Sequence, residues 1–335
     1  MISKASLRRL RTALLATLLL LCLASCGATR PGRKDVVVLF TGDVHCGMDR
    51  GFGYAGVWQL REKLEAEGCA TLLVDCGDSI QGEPAGMLTK GGDIVDLMDG
   101  MRYDAAVPGN HEFDYGVDRL LELAGMASFP YVCCNLTKDG RDVFSPYIIK
   151  EAAGIRIAFV GITTPTTITS SSPVYFQDGD GNYVYSFMQD LTGDPLYDAV
   201  QRAVDAARAE GAVYVYALAH LGRGRQYAPW SCEDVIAHTS GIDVFLDGHS
   251  HDTDILTIRN KDGKEVVRAA AGTKLECVGY SRISARDGSL DTGLWRWDGG
   301  LESGGQSASP QAQTAPHSAA SQDAAVPQAK TENEM

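Results

Sequence analysis

The sequence predicts a mixed α/β fold for residues 35–298, and two observations carry that expectation. Between residues 36 and 246, short β-branched or apolar runs alternate with stretches of helical periodicity, the pattern of strand-helix-strand units. Beyond Gly248 the helical stretches stop and only strand patterns follow. With 335 residues, 44% of them hydrophobic, the chain can bury a substantial core.

The elements follow in order. Residues 36–40 form an all-apolar run of strand length, read as a buried strand. Val57, Leu60 and Leu64 recur at helical spacing among charges and predict a helix over 57–67, and residues 71–74 are the next strand. A helix over 94–101, a short strand at 105–107 and a helix opening at Gly116 and running to Met126 come next. Strands are predicted at 147–150, 156–161, 213–219 and 242–246, with a helix over 196–210. The last four strands, 255–259, 266–270, 278–283 and 294–297, read as an antiparallel set closing a second sheet. Residues 163–195 are rich in Thr, Ser, Gly and Asp and show no period; loops of this length are uncommon and often functional, so this one is expected at the mouth of a site.

The termini read differently. Lys4, Arg8, Arg9 and Arg11 precede an apolar run over 13–24 that is short for a membrane span of about 20 residues, so 1–25 reads as a secretory signal. The run ends in Leu23-Ala24-Ser25-Cys26-Gly27, which resembles a bacterial lipobox with Cys26 as the acylated residue. The expectation is a mature chain starting at Cys26, a linker over 26–34, and lipid anchorage outside the cytoplasm. Residues 299–335 hold no aromatic residue and are dominated by Ser, Gly, Gln, Ala and Pro, the composition of a disordered tail. Without residues 1–25, 26 of the 30 basic side chains face 43 acidic ones, a net charge of −17 that disfavours a nucleic-acid duplex as partner. Of the remaining cysteines, Cys46, Cys69, Cys76, Cys133, Cys134, Cys232 and Cys277 show neither disulfide nor zinc-finger spacing and read as packed side chains.

Five of the seven histidines fall in clusters of metal-binding residue types: Asp43-Val44-His45, Gly77-Asp78, Gly109-Asn110-His111-Glu112, His220, and Gly248-His249-Ser250-His251. Singly, each has an ordinary reading: Asp78 in a turn, Asn110 at a helix entry, His220 as a satisfied core histidine. Together they are ordered, and each follows directly on a predicted strand. Ligands of open α/β sheets bind beyond the carboxyl ends of the strands, so these residues are expected to converge on one rim. Carboxylate, imidazole and amide donors suit Mn, Zn, Fe or Co without selecting among them. Two ions about 3.5–4 Å apart need a bridge, for which Asp78 is the candidate, and a water they share becomes a hydroxide nucleophile near neutral pH. Attack on phosphorus spreads charge that Asn110 and a protonated His111, oriented by Asp114, would stabilise.

The motifs TGDVHC, DCGDSIQG, PGNHEFDYG, ALAHLG and DGHSH, between residues 35 and 283, resemble the calcineurin-like metallophosphoesterases and within them the bacterial secreted 5'-nucleotidase and UDP-sugar hydrolase family. That resemblance implies a single-domain four-layer α/β/β/α sandwich. It implies one metal on Asp43, His45 and His251, a second on Asn110, His220 and His249, Asp78 bridging, a His111-Asp114 catalytic dyad, and Asn110 and His111 on the substrate. Two departures stand out: Gly42 and Cys46 occupy positions where the family has Asn and Gly, and a C-terminal domain that selects the nucleoside is not recognisable. The expectation is therefore a phosphomonoesterase of 5'-nucleotidase type acting on a small phosphorylated substrate. Alternatives are a 2',3'-cyclic nucleotide phosphodiesterase or UDP-sugar pyrophosphatase on the same site, a chain completed by a separate specificity subunit, and a non-catalytic surface-binding lipoprotein.

Overall fold

The computed structural model of the chain describes residues 34–298 and the segment Ala312–Thr314. The expected signal over 1–25, Cys26, the rest of the expected linker up to residue 33, and the tail apart from Ala312–Thr314 lie outside the described residues. In chain order the strands are β1 (Val36–Thr41), β2 (Ala70–Asp75), β3 (Ala105–Ala106), β4 (Thr137–Lys138) and β5 (Arg141–Asp142). There follow β6 (Tyr147–Ala152), β7 (Ile155–Thr163), β8 (Tyr185–Ser186), β9 (Tyr214–His220) and β10 (Val244–Asp247). The last are β11 (Thr253–Arg259), β12 (Glu265–Ala271), β13 (Cys277–Ile283), β14 (Leu290–Arg296) and β15 (Ala312–Thr314).

Two six-stranded sheets are formed, in the orders β15-β14-β13-β1-β2-β3 and β11-β12-β10-β9-β7-β6, with a small third sheet β5-β4-β8. Side chains alternate across each strand, and that alternation builds the layers. Val36, Val38 and Phe40 of β1 and Leu72 and Val74 of β2 meet Ile157 and Phe159 of β7 and Tyr216 and Leu218 of β9 between the sheets. The intervening Val37, Leu39 and Leu73 point outward against Val57, Leu64, Ile94, Met98, Leu120 and Leu123 of the helices Gly53–Ala66, Gly92–Gly100 and Val117–Met126. On the other side Ala158, Val160, Val215 and Ala217 pack against Leu196, Val200 and Val204 of the helix Asp194–Ala209 and against Val235 and Ile236 of Cys232–His238. Fully burying one such Leu or Phe contributes about 1.5–3 kcal/mol, so both helical layers are firmly held. The result is a four-layer α/β/β/α sandwich.

Four features depart from the sequence reading. The late strands do not close a sheet of their own: β12 pairs parallel with β10 and β11 antiparallel with β12, whereas β13 pairs antiparallel with β1 and β14 with β13. Alternation reveals which faces are buried, and the choice of neighbour is made by long-range pairing. Residues 163–195 are not an open loop; they hold the short helix Thr167–Ser170, a 3-10 turn Pro173–Phe176 and β8, with Phe176 and Phe187 fully buried in the first core. The helices Pro84–Thr89 and Cys232–His238 were also not expected, although Ser231 caps the second by accepting from the Asp234 N–H at 3.2 Å. In the region of the expected disordered tail, Ala312–Thr314 lies antiparallel along β14 as an edge strand.

All seven described cysteines are buried and free. Cys133 lies in the first core and Cys134 in the third, so the two side chains pack into separate cores.

Candidate metal centre

β1, β2 and β3 are mutually parallel, as are β7, β9, β10 and β12. The carboxyl ends of both sets deliver side chains to one rim. The loop after β1 is laid against the loop after β2 by N–H donation from Asp43 to Gly77 O (2.8 Å), from His45 to Asp78 O (2.8 Å) and from Cys46 to Ser79 O (3.0 Å). Two ligand groups emerge: Asp43, His45 and His251, and Asp78, His220 and His249, each with its ligand atoms within 4.8 Å of one another. Asp78 lies between them, its Oδ2 3.0 Å from His220 Nε2 and 3.9 Å from His45 Nε2.

The backbone at this rim is strained. Asp43, His45, Asp78, His249 and His251 all have positive φ, between 48° and 78°, a region that costs a non-glycine residue about 1–3 kcal/mol and persists only where the surroundings enforce it. Gly109 is required by close approach, since a Cβ there would stand 2.2 Å from Asp78 Oδ1. Gly248 is similarly confined, its would-be Cβ 2.9 Å from His220 Nδ1 and 3.0 Å from Asp43 Oδ2.

The fit to cations rests on buried polar atoms aimed into the rim. Asn110 Oδ1 makes no hydrogen bond, a costly state that a metal ion would relieve, and His220 Nε2 faces Asp78 Oδ2 at 3.0 Å. His220 Nδ1 lies 2.7 Å from Cys76 O and His45 Nδ1 3.1 Å from Gln81 O. A carbonyl at Nδ1 fixes the proton there in the neutral ring and leaves Nε2 free to ligate. The donor set of carboxylates, imidazoles and one amide fits two divalent ions.

Glu112 shares the motif of Asn110 and His111 yet does not join the ligands. Its buried carboxylate accepts N–H bonds from Gly109 (2.6 Å), Asp78 (2.7 Å), Ser79 (2.7 Å) and Ile80 (3.2 Å), tying the loop after β3 to the loop after β2. Asp75 does similar work, accepting from Thr41 Oγ1 (2.6 Å), Ser79 Oγ (2.7 Å) and the Gly77 N–H (2.9 Å). A sequence motif gives residue type and neighbours, and cannot distinguish a carboxylate facing a cation from one facing amides.

The dyad is formed. His111 Nδ1 lies 2.7 Å from Asp114 Oδ2, and the His111 ring stands 5.2 Å from that of His45. Ser171, from the segment expected at the mouth, donates to Asn110 O at 3.0 Å and lies 3.4 Å from Asp114 Oδ1. The His111 N–H donates to Asp78 Oδ1 at 2.8 Å, which fixes the His111-Asp114 pair against the Asp78 carboxylate.

Charge distribution follows from burial and neighbours. The Asp114 hydrogen bond raises His111 to about 9, against the opposing effect of burial. Burial alone would lower His220, but the Asp78 and Asp43 carboxylates beside it raise it to about 10. Burial would raise Asp78, and the His220 charge instead holds it well below the usual carboxylate range. Burial pushes His249 down to about 4 and lowers His45 and His251 as well, so these three rings are neutral and ready to ligate. A metal taking His220 Nε2 must therefore displace a proton. Loading the metal-free protein with manganese at neutral pH is expected to release that proton, and affinity should rise with pH until His220 is neutral, near pH 10. Calorimetric titration in buffers of different ionisation enthalpy reads the release; heats independent of buffer would contradict it.

Two parallel-stranded halves thus bring together two candidate metal-ligand groups of three residues each, with an imidazole-carboxylate pair beside them, the arrangement of a metallohydrolase site. The chain belongs to the calcineurin-like phosphoesterase family, whose description matches residues 36–253. It is 30% identical over 250 residues to the trifunctional nucleotide phosphoesterase protein YfkN of Bacillus subtilis, covering 64% of this chain and 16% of that one. It is 29% identical over 291 residues to the 2',3'-cyclic-nucleotide 2'-phosphodiesterase/3'-nucleotidase of Yersinia enterocolitica, covering 76% and 42% respectively. Among solved structures, calcineurin-like phosphoesterase YfkN from Bacillus subtilis superimposes with a TM-score of 0.64 at 24% identity, over 81% of this chain and 93% of that one. The chain thus spans less than half the length of these two curated relatives.

Proposed function

We propose that the chain hydrolyses phosphoesters of small molecules, phosphomonoesters of nucleotides foremost, at the rim between the two sheets. The observation that carries this is the pair of candidate ligand groups, with Asp78 3.0 Å from His220 and 3.9 Å from His45 and the protonated His111 beside them. Asp43, His45 and His251 would hold one divalent ion, and Asn110, His220 and His249 the other, with Asp78 common to both; Mn, Zn, Fe and Co all suit these donors. When bound, the ions supply a deprotonated water at neutral pH and positive charge for the phosphoryl oxygens. Asn110 and His111 are the groups that contact the substrate phosphate, His111 donating through Nε2 while Asp114 and Ser171 keep its ring in place.

The named activities of the two curated relatives, on nucleotides and cyclic nucleotides, support a nucleotide as substrate and favour phosphodiester hydrolysis as the second reading. Retention of all seven ligands speaks against a non-catalytic surface-binding role. Lipid attachment at Cys26 would hold the site outside the cytoplasm; no helix among the described residues is long and apolar enough to cross a membrane.

The test is turnover of nucleoside mono-, cyclic and sugar-diphosphates with added manganese. Metal-dependent release of phosphate from the monoesters is expected, and no turnover of any phosphoester would overturn the reading. The same assay on bacterial fractions locates the protein, with activity in the membrane fraction and Cys26→Ser moving it to the soluble one.

A further inference from the structure

We propose that Arg268 is a positioning residue that fixes the metal-ligating histidines of the second sheet through a buried ion pair with Asp247. The proposal rests on the reading of those histidines as ligands. Arg268 lies in mid-strand on β12, its side chain wholly buried, and so is the side chain of Asp247 at the end of β10. Its Nε and Nη2 donate to Asp247 Oδ2 at 3.1 and 2.8 Å, and its Nη1 donates to Asp254 Oδ1 at 2.5 Å. Asp252 Oδ2 is a further 3.7 Å neighbour. Arg223, on the loop after β9, pairs with the other oxygen of Asp254.

Two of these carboxylates, Asp247 and Asp252, lie within two residues of a proposed ligand. Asp247 precedes Gly248-His249, and its free Oδ1 accepts from the N–H groups of Leu221 (3.0 Å) and Gly222 (3.4 Å), the two residues after His220. Asp252 follows His251 and accepts from Ser250 Oγ at 2.6 Å, the residue between His249 and His251. One guanidinium thereby fastens the loops that carry His220, His249 and His251, two of which sit at positive φ. The planar fork is suited to this because it reaches Asp247 and Asp254 at once, which an ammonium cannot do with the same geometry.

A buried ion pair contributes little net stability, and replacing both partners by apolar residues often leaves folding intact. Folding and ligand positioning can therefore be separated in one variant. Arg268→Met/Asp247→Leu removes the pair, the acceptor of Leu221 and Gly222, and the buried charges together. Manganese affinity of the metal-free protein is measured by chelator competition, alongside its melting temperature. The expected result is a melting temperature close to the parent's with affinity about 10–100-fold weaker, the range for groups that orient metal ligands. Loss should be greater for the ion assigned to Asn110, His220 and His249 than for the one sharing Asp43 and His45 of the first sheet. Parental affinity in the folded variant overturns the proposal. Should that variant not fold, Arg268→Lys decides by the same comparison, with an intermediate loss expected and parental affinity overturning it. A parent that does not bind manganese sinks the functional reading itself.

Discussion

Asp78→Asn is expected to leave a folded protein whose metal-dependent turnover falls by at least about a thousandfold, equivalent to roughly 4 kcal/mol of barrier. Asp78 belongs to the group of His220 and His249 and also approaches the other: its Oδ2 lies 3.0 Å from His220 Nε2 and 3.9 Å from His45 Nε2, and Oδ1 accepts the His111 N–H at 2.8 Å. Asparagine keeps the shape and one oxygen but puts an NH2 group where the second was, and that group donates hydrogen bonds and does not ligate cations. If Oδ1 stays on the His111 N–H, the amide nitrogen faces both ligand groups. If the amide turns over, the nitrogen meets an N–H donor and the dyad loses its tie. Either arrangement would take away an anionic ligand oxygen and so weaken the hold on the ions that would supply the attacking hydroxide. Initial rates of phosphomonoester hydrolysis, with manganese content measured on the same samples, decide the matter; equal rates in the two proteins would rule out the dinuclear mechanism.

The second large effect concerns the dyad. His111 is raised to about 9, first by its hydrogen bond to Asp114, so it is protonated at neutral pH and can stabilise negative charge on the phosphoryl group. A group with a raised pKa acts in its charged form below that value, so activity should fall as pH rises through about 9. In Asp114→Asn the carboxylate is gone, and the alkaline limb should move down toward 6.5, the ordinary value of the ring. At neutral pH this variant is then largely neutral at His111, and a loss of about 10²–10³-fold is expected, the range for removing one donor to a developing oxyanion. The pH profile of kcat is the measurement that separates this from misfolding. A limb that stays in place while the rate drops would mean that Asp114 only holds the ring's position.

Much of this site was legible in the sequence because each ligand is local to a strand end. Apolar runs such as 36–40 and 71–74 announce strands, and the Asp or His a few residues later must emerge at the carboxyl rim of a parallel sheet. The dyad was legible for the same reason, since His111 and Asp114 are three residues apart in one short turn. Asp247, Arg268 and Glu112 were not legible in this way. Arg268 sits in Val266-Val267-Arg268-Ala269, where an exposed arginine on a half-buried strand would be the ordinary expectation, and only its carboxylate partners on β10 and β11 make full burial tolerable.

The sequence by itself determined the ligand types, their order along the chain, the alternation that makes two-faced strands, and membership of a phosphoester-hydrolysing class of sites. Only the tertiary structure decided that Asp43, His45 and His251 come together on one side and Asp78, His220 and His249 on the other, that Glu112 serves amides, that residues 163–195 brace the dyad through Ser171, and that the late strands divide between the two sheets. The physical reason is range. Periodicity and turn chemistry are set by interactions within a few residues, whereas partner choice for a strand edge or a buried charge depends on groups dozens to hundreds of residues away, fixed only when the sheets close on one another.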